Sequence, residues 1–385
     1  MMIVATNAVT AAEELRCCYR DRLAEAAAAR ADGRKVVAYA GHTVPVELIQ
    51  AAGAFALQIT GDPERATPLA DTFLDDDIDG DIRSLFQRIV DGEFNLADLI
   101  VLPRSSNGLL YLYYFLLEAR RWLPERQFPE VLLFDVLHTP YASTGEYVLG
   151  RVCALSERLA RLCGGEPGAG ALHEAIAIVN DNRRVLQALN ELRRLPRPLL
   201  GGAAYLRLAG AGRFMEPARH TALLRELLDE APAWSALKGV RLMVKGAAQD
   251  NAEFYELVER LGAVIVADDH ANGERDAERL VYEDAEPLAS LAEHYQLHVP
   301  TVRSFPQAKQ DRRFMEIVAE AGVQGVIFYH DEFDDTLGWD YPQQKRLLDA
   351  RGIPSLLLQQ QSYRFPDRAA QAAAVRDLIA RSLEQ

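Results

Sequence analysis

Val36-Val37-Ala38-Tyr39-Ala40 runs directly into Gly41-His42-Thr43-Val44-Pro45. An apolar run with no polar alternation reads as a strand covered on both faces, the pattern of a parallel sheet sandwiched between helices. The same phrase, an apolar run that stops just short of a histidine, recurs three times. Val131-Leu132-Leu133-Phe134 precedes His138, Ala263-Val264-Ile265-Val266-Ala267 precedes His270, and Gly325-Val326-Ile327-Phe328-Tyr329 precedes His330. In open α/β sheets ligands bind beyond the carboxyl ends of the strands. Four of the eight histidines therefore fall where a site belongs.

The segments between these runs have helical spacing. An amphipathic, alanine-rich helix is predicted over residues 10–31, ending at Asp32-Gly33, and a short helix over Val46 to Ala52 begins after Pro45. Strands are predicted over Ala54 to Thr60, Asp98 to Leu102 and Val131 to Leu137, with a helix from Gly108 to Arg120. From about Thr144 to Glu230 the pattern is mainly helical, and the glycine-rich segments Gly201-Gly202-Ala203-Ala204 and Gly210-Ala211-Gly212 read as turns. A second strand and helix alternation follows: strand Val240 to Val244, helix Asn251 to Leu261, strands 263–267 and 325–329, helix Pro342 to Arg351, strand Pro354 to Leu358 and a closing helix from Asp367. Strands alternating with helices specify an α/β fold with parallel sheets. The expected architecture is two Rossmann/flavodoxin-like parallel-sheet domains, 1–145 and 236–385, facing a central cleft and joined by a helical bridge over 146–235.

The chain has 385 residues, enough for two or three domains, and its 25% charged and 49% hydrophobic content is that of an ordinary folded protein. Asp and Glu outnumber Lys and Arg by 56 to 42, so no basic field exists to hold a phosphate backbone and no nucleic-acid partner is expected. Met1 to Asn7 lacks a cationic segment followed by an apolar one, and no later stretch is apolar enough to span a bilayer, so no membrane partner and a cytoplasmic location are expected. Cys17 and Cys18 are adjacent, and Cys153 and Cys163 are ten apart, spacings that match neither a zinc ribbon nor a redox motif; all four are expected reduced and structural.

Four polar segments can carry chemistry. Asp75-Asp76-Asp77-Ile78-Asp79-Gly80-Asp81 imitates the opening of a calcium loop, but the twelfth position, which needs a bidentate Glu, is Phe86. Arg104-Ser105-Ser106-Asn107-Gly108 follows a strand and opens a helix, so its hydroxyls and amides suit either an anion at the positive helix end or a simple helix cap. Asp268-Asp269-His270-Ala271-Asn272-Gly273-Glu274-Arg275 places an acid, a base and a cation after a strand, and Tyr329-His330-Asp331-Glu332-Phe333-Asp334-Asp335 repeats the arrangement. Both are equally compatible with solvated loops. On the functional reading, His270, His330 and His138 are candidate acids or bases, and His42, Arg104, Ser105, Asn107, Asp268, Asp269 and Asn272 are candidate substrate-binding residues.

Several blocks together resemble the subunits of the 2-hydroxyacyl-CoA dehydratase and benzoyl-CoA reductase family. They are Val44-Pro45-Val46-Glu47-Leu48-Ile49-Gln50-Ala51-Ala52-Gly53, Ile82-Arg83-Ser84, Leu99-Ile100-Val101-Leu102-Pro103, Asn180-Asp181-Asn182-Arg183-Arg184, the run from Tyr255 to Asp269, Tyr341-Pro342-Gln343-Gln344-Lys345-Arg346 and Gly352-Ile353-Pro354. The resemblance implies two-domain α/β subunits, paired as a homodimer or heterodimer, that bind an acyl-CoA ester. It further implies a cysteine-held 4Fe-4S cluster and radical elimination of water or reduction of an aromatic ring, driven by an ATP-dependent activator. Aligned by eye, the three cluster cysteines fall at Asp79, Ser106 and Asp334, none of which is a thiolate. Iron–sulfur clusters need thiolate ligands, so no cluster and no other cofactor are expected in this chain.

Three readings follow. The first, preferred because polar residues crowd the strand ends, is a cluster-free lyase-type enzyme with His270 or His330 as acid or base and Ser106 near the thioester carbonyl. The second is a non-redox subunit that binds beside a cluster-bearing partner. The third is a metal enzyme in which Asp79, Asp334 and nearby histidines hold a divalent cation; no metal is favoured, because no HExxH or other spaced ligand set supports one.

Overall fold

The computed structural model describes residues 10–168, 170–334 and 336–384; the reading of Met1 to Asn7 lies outside them. Val36–Tyr39 (β1) is buried at every position, as its unbroken apolar run requires. It pairs in parallel with Phe55–Gln58 (β2) on one side and Leu99–Pro103 (β3) on the other, and β3 pairs with Glu130–Phe134 (β4). Parallel neighbours need crossover connections, which the helices Val46–Ala51 and Asn107–Trp122 help to supply. The second sheet repeats the winding with Val240–Gly246 (β5), Ala263–Asp269 (β6), Gly325–Asp331 (β7) and Ser355–Gln361 (β8). The strand orders are β2-β1-β3-β4 and β6-β5-β7-β8, so the molecule is α/β with two all-parallel four-stranded sheets. In each, the chain reverses direction across the sheet between its first and third strands.

The helices Ala142–Cys163, Ala171–Arg194, Gly202–Ala211 and Pro217–Glu230 lie between the two sheets in sequence. They weld the sheets together rather than merely linking them. The Gly202–Ala211 helix sends Tyr205, Leu208 and Ala211 into the apolar core of the first sheet and Ala203 and Leu206 into that of the second. Two of the blocks carrying the family resemblance meet here: Arg183 forms a buried ion pair with Glu47 at 2.7 Å, and the Tyr295 hydroxyl donates to the same carboxylate at 2.9 Å.

The helices Pro68–Phe73, Gly80–Val90, Pro287–Glu293 and Gln307–Glu320 are not among the expected elements, and three expected elements take another form. The lead helix is two, Ala11–Arg20 and Ala24–Ala31, because Arg22 turns inward over the rings of Tyr19 and Phe214 and donates to Thr60 and to the Asp250 carbonyl. Gly202 and Gly210 are not turns but helical positions, and a Cβ on Gly202 would meet Ile265 and Tyr255; the glycine permits close helix-to-sheet packing. The helix expected from Pro342 starts earlier, at Leu337, with Pro342 inside it. Its start is set by the Asp334 carboxylate, which accepts from the amides of Thr336, Leu337 and Gly338 at 2.7–3.1 Å.

Candidate functional site

The points at which the two sheets reverse direction open on one cavity of about 210 Å³. Ala40, Gly41 and His42 enter it after β1, Ser105, Ser106 and Asn107 after β3, Gly246, Ala247 and Ala248 at and after the end of β5, and Asp331 and Asp334 at and after the end of β7. That is the crevice in which doubly wound sheets bind ligands. Gly246 has φ +129°, and a Cβ there would run into the Tyr329 carbonyl, so only glycine lets the β5 end turn so close to β7.

The cavity lining mixes two kinds of residue. Ile59, Ile82, Leu85, Leu109, Val302 and Leu337 are apolar. Asp79, Asp81, Asp250, Asp331 and Asp334 are acidic. Arg275 also lines the space, but its guanidinium is committed to Asp269, donating from Nε to Oδ1 at 2.6 Å. With few counter-charges and partial desolvation, carboxyls hold their protons. Burial, then the charges of Asp79 and Asp250, raise the Asp81 carboxyl to about 7. Burial, then the charges of Asp81, Asp79, Asp334 and Asp250, push Asp331 well above the ordinary carboxyl range. Asp250 is also raised by burial, although the Tyr363 hydroxyl donates to it at 2.5 Å.

Of the residues picked out from sequence, His42, Ser105, Ser106, Asn107, Asn272, Asp79 and Asp334 line the cavity. Ser106 also caps the Asn107–Trp122 helix, accepting from the Leu109 amide at 3.2 Å, while Asn107 is held by Arg303 and His42 Nε2 by the Pro300 carbonyl. The other candidates are not among the lining residues. Asp268 is fully enclosed and pairs with Arg193 at 2.9 Å. Asp269 takes Lys245, Arg275 and Arg313 at 2.5–2.8 Å, and these cations, outweighing burial, hold its carboxyl well below the usual range. His270 is enclosed between the Tyr255 hydroxyl, 2.8 Å from Nε2, and the Asn272 amide, which donates to Nδ1; burial drives its pKa to about 4, so the ring is neutral and supports the Asn272 turn. His138 is buried, with Nδ1 lacking a partner among the described residues, and burial together with His42 lowers it to about 4. His330 is buried with Nδ1 3.6 Å from Asp334, and Arg104 pairs weakly with Asp135 at 3.4 Å.

The lining residues missed from sequence are Asp81, Asp250, Asp331 and Gln58. Asp81 and Asp331 stand inside polar segments picked out from the chain, and the signal available is the density of aspartate at the start of the Gly80–Val90 helix and at the end of β7. Asp250 and Gln58 carry no local signal, since only folding brings them to the cavity.

The donor set of the cavity is oxygen-rich. The four cysteines sit on the Ala11–Arg20 and Ala142–Cys163 helices, none of them among the lining residues, and Cys18 packs against the Ala211 carbonyl with burial raising its thiol to about 12. No three His, Cys, Asp or Glu side chains among the described residues converge as a metal-binding group. Among the described residues no helix is long and apolar enough to cross a membrane.

A doubly wound pair of sheets with a ligand crevice at their reversal points is the architecture these observations define. Residues 42–371 match the family model described as 2-hydroxyglutaryl-CoA dehydratase, D-component, and the chain belongs to that family. It is 22% identical over 333 residues to the (R)-phenyllactyl-CoA dehydratase beta subunit of Clostridium sporogenes, covering 85% of this chain and 86% of the relative. It is 25% identical over 357 residues to a benzoyl-CoA reductase subunit of Thauera aromatica, 89% of each chain. It is 22% identical over 332 residues to the beta subunit of (R)-2-hydroxyglutaryl-CoA dehydratase of Acidaminococcus fermentans, covering 84% and 86%.

Proposed function

We propose that this family member takes the acyl end of a thioester into the cavity between its sheets and acts on it by proton transfer between carboxyl groups, without an iron–sulfur cluster. The carrying observation is that Asp81 and Asp331 line one cavity, both with proton affinity raised by burial and by the charges of nearby carboxyls. Two such carboxyls can share a proton near neutral pH, one serving as base and the other as acid. The thiols fit the absence of a cluster, since they lie on helices away from the cavity and soft iron–sulfur centres are not held by carboxylates.

Polar chemistry restricts the substrate. A 2-hydroxyacyl thioester would have to lose an unactivated β-hydrogen, which a carboxylate cannot remove. A 3-hydroxyacyl thioester carries its removable hydrogen beside the carbonyl. In the proposed step the Asp81 carboxylate takes the α-proton, the electron pair forms the α,β double bond, and the C–O bond breaks as the Asp331 carboxyl delivers its proton to the leaving hydroxyl. Water departs and the two carboxyls have exchanged protonation states.

The test is incubation of the purified chain with 3-hydroxybutyryl-CoA and, separately, 2-hydroxybutyryl-CoA, following the enoyl product. Turnover of the 3-hydroxy ester alone, falling about 100-fold or more in Asp81→Asn, is expected. Iron-dependent turnover of the 2-hydroxy ester would overturn the proposal.

A second reading is favoured by the relatives' names: a dehydratase beta subunit and a reductase subunit are parts of assemblies. On that reading the chain is inert alone towards both esters and forms a stable complex with a cysteine-bearing family member, which supplies the activity.

A further inference from the structure

We propose that the acidic lining of this cavity recognises an organic cation, a primary ammonium at the end of an aliphatic chain. The inference rests on the cavity being the acyl site, as proposed above, and narrows the class of acyl group it takes.

Five aspartates line the space and the guanidinium beside them is already paired. Crowded carboxylates withdrawn from water are costly unless a proton or a cation offsets them. The Asp331 carboxyl, at the last position of β7, lines the cavity with no hydrogen-bond partner among the described residues. Two further acceptors point to a ligand independently of the carboxylates. Ser105 is only 8% exposed, lines the cavity, and its hydroxyl has no partner among the described residues. Gln58 is 3% exposed and lines the same cavity; its Nε2 is spent on the Gly41 carbonyl and its Oε1 has no donor among the described residues. What these groups lack in common is N–H donors.

A compact metal ion is the poorer answer, because the carboxylates are spread around the cavity rather than converging as a coordination group. An ammonium group offers three donors in different directions and tolerates such a spread. The apolar lining residues Ile59, Ile82, Leu85 and Leu109 supply the surface an aliphatic chain would bury. A carboxylate or phosphate would be repelled, so the anionic carrier of a thioester must lie outside this space.

The probe is butylammonium chloride, titrated against the protein by thermal shift and calorimetry beside sodium butyrate, magnesium chloride and potassium chloride at matched ionic strength. Saturable stabilisation by butylammonium alone is expected, weakened about tenfold or more in Asp331→Asn, where the carboxyl that the incoming cation would ionise is lost. That variant removes repulsion, so it is expected to fold. A butylammonium response equal to that of potassium chloride, one undiminished in Asp331→Asn, or a response to magnesium only would each overturn the inference. A thioester pair separates it from the reading it rests on. Binding of 6-aminohexanoyl-CoA at least about tenfold more tightly than hexanoyl-CoA supports both. Equal binding of the two leaves the thioester reading standing and sinks the ammonium. Carboxylate-dependent butylammonium binding with neither thioester bound does the reverse.

Discussion

Asp269 and Asp331 stand at the ends of β6 and β7, yet their carboxyls shift in opposite directions. Around Asp269 three cations outweigh burial; around Asp331 burial is reinforced by four other carboxyls. Nothing in the local sequence separates the two, because the deciding charges arrive from other segments. The sign of the effect on stability follows. Folding raises the proton affinity of Asp331 and Asp81, so the folded state binds more protons than the unfolded chain above the ordinary carboxyl range. Their penalty is absent at lower pH and grows as pH rises towards and beyond about 7. Asp331→Asn is therefore expected to stabilise the protein at pH 8 by at least about 1 kcal/mol and to do little near pH 4, measured by urea denaturation at both values. Equal effects at the two pH values would show that Asp331 is not the strained group.

The Asn107–Trp122 helix shows how much of an element is local. Its apolar face and its Ser106 cap are both legible in the chain, and the cap forms as the sequence suggests. Ser106→Ala is expected to cost about 1 kcal/mol by removing the hydrogen bond to the Leu109 amide, while leaving the Ser105 hydroxyl in the cavity. A loss of ligand response without a loss of stability would assign Ser106 to the ligand instead. The strands β1, β3, β5 and β7 are readable for a related reason: a central strand of a parallel sheet is covered on both faces and needs a continuous apolar run. The start of the Leu337–Asp349 helix is not readable in this way, because Pro342 resembles a helix start, whereas Asp334, several residues earlier, satisfies the first amides.

The two halves of the molecule are held at a fixed spacing by contacts that no single segment announces. Tyr363, after β8, packs on the backbone of Gly61 and Gly80 from the first half; a Cβ on Gly80 would come within 2.8 Å of the Tyr363 Cβ. The same residue donates to Asp250, and the amide of Phe333 reaches across to Asp79 at 3.0 Å. Tyr363→Phe keeps the packing and loses the hydrogen bond to Asp250, so a loss of about 1–2 kcal/mol is expected in chemical denaturation. An unchanged midpoint would mean that the hydroxyl contributes nothing to the joint.

The order of the strands, the duplication of the α/β half and the placement of polar residues at the strand ends were contained in the chain, because hydrophobic periodicity and turn chemistry act over a few residues. Which of those polar residues line the cavity was not. His270, Asp268 and Asp269 look like site residues and are buried outside the lining, whereas Asp81, Asp250 and Asp331 look like solvated acids and line the cavity. Their difference is one of burial and of charges brought from distant segments, and both come into being only when the two sheets close on each other.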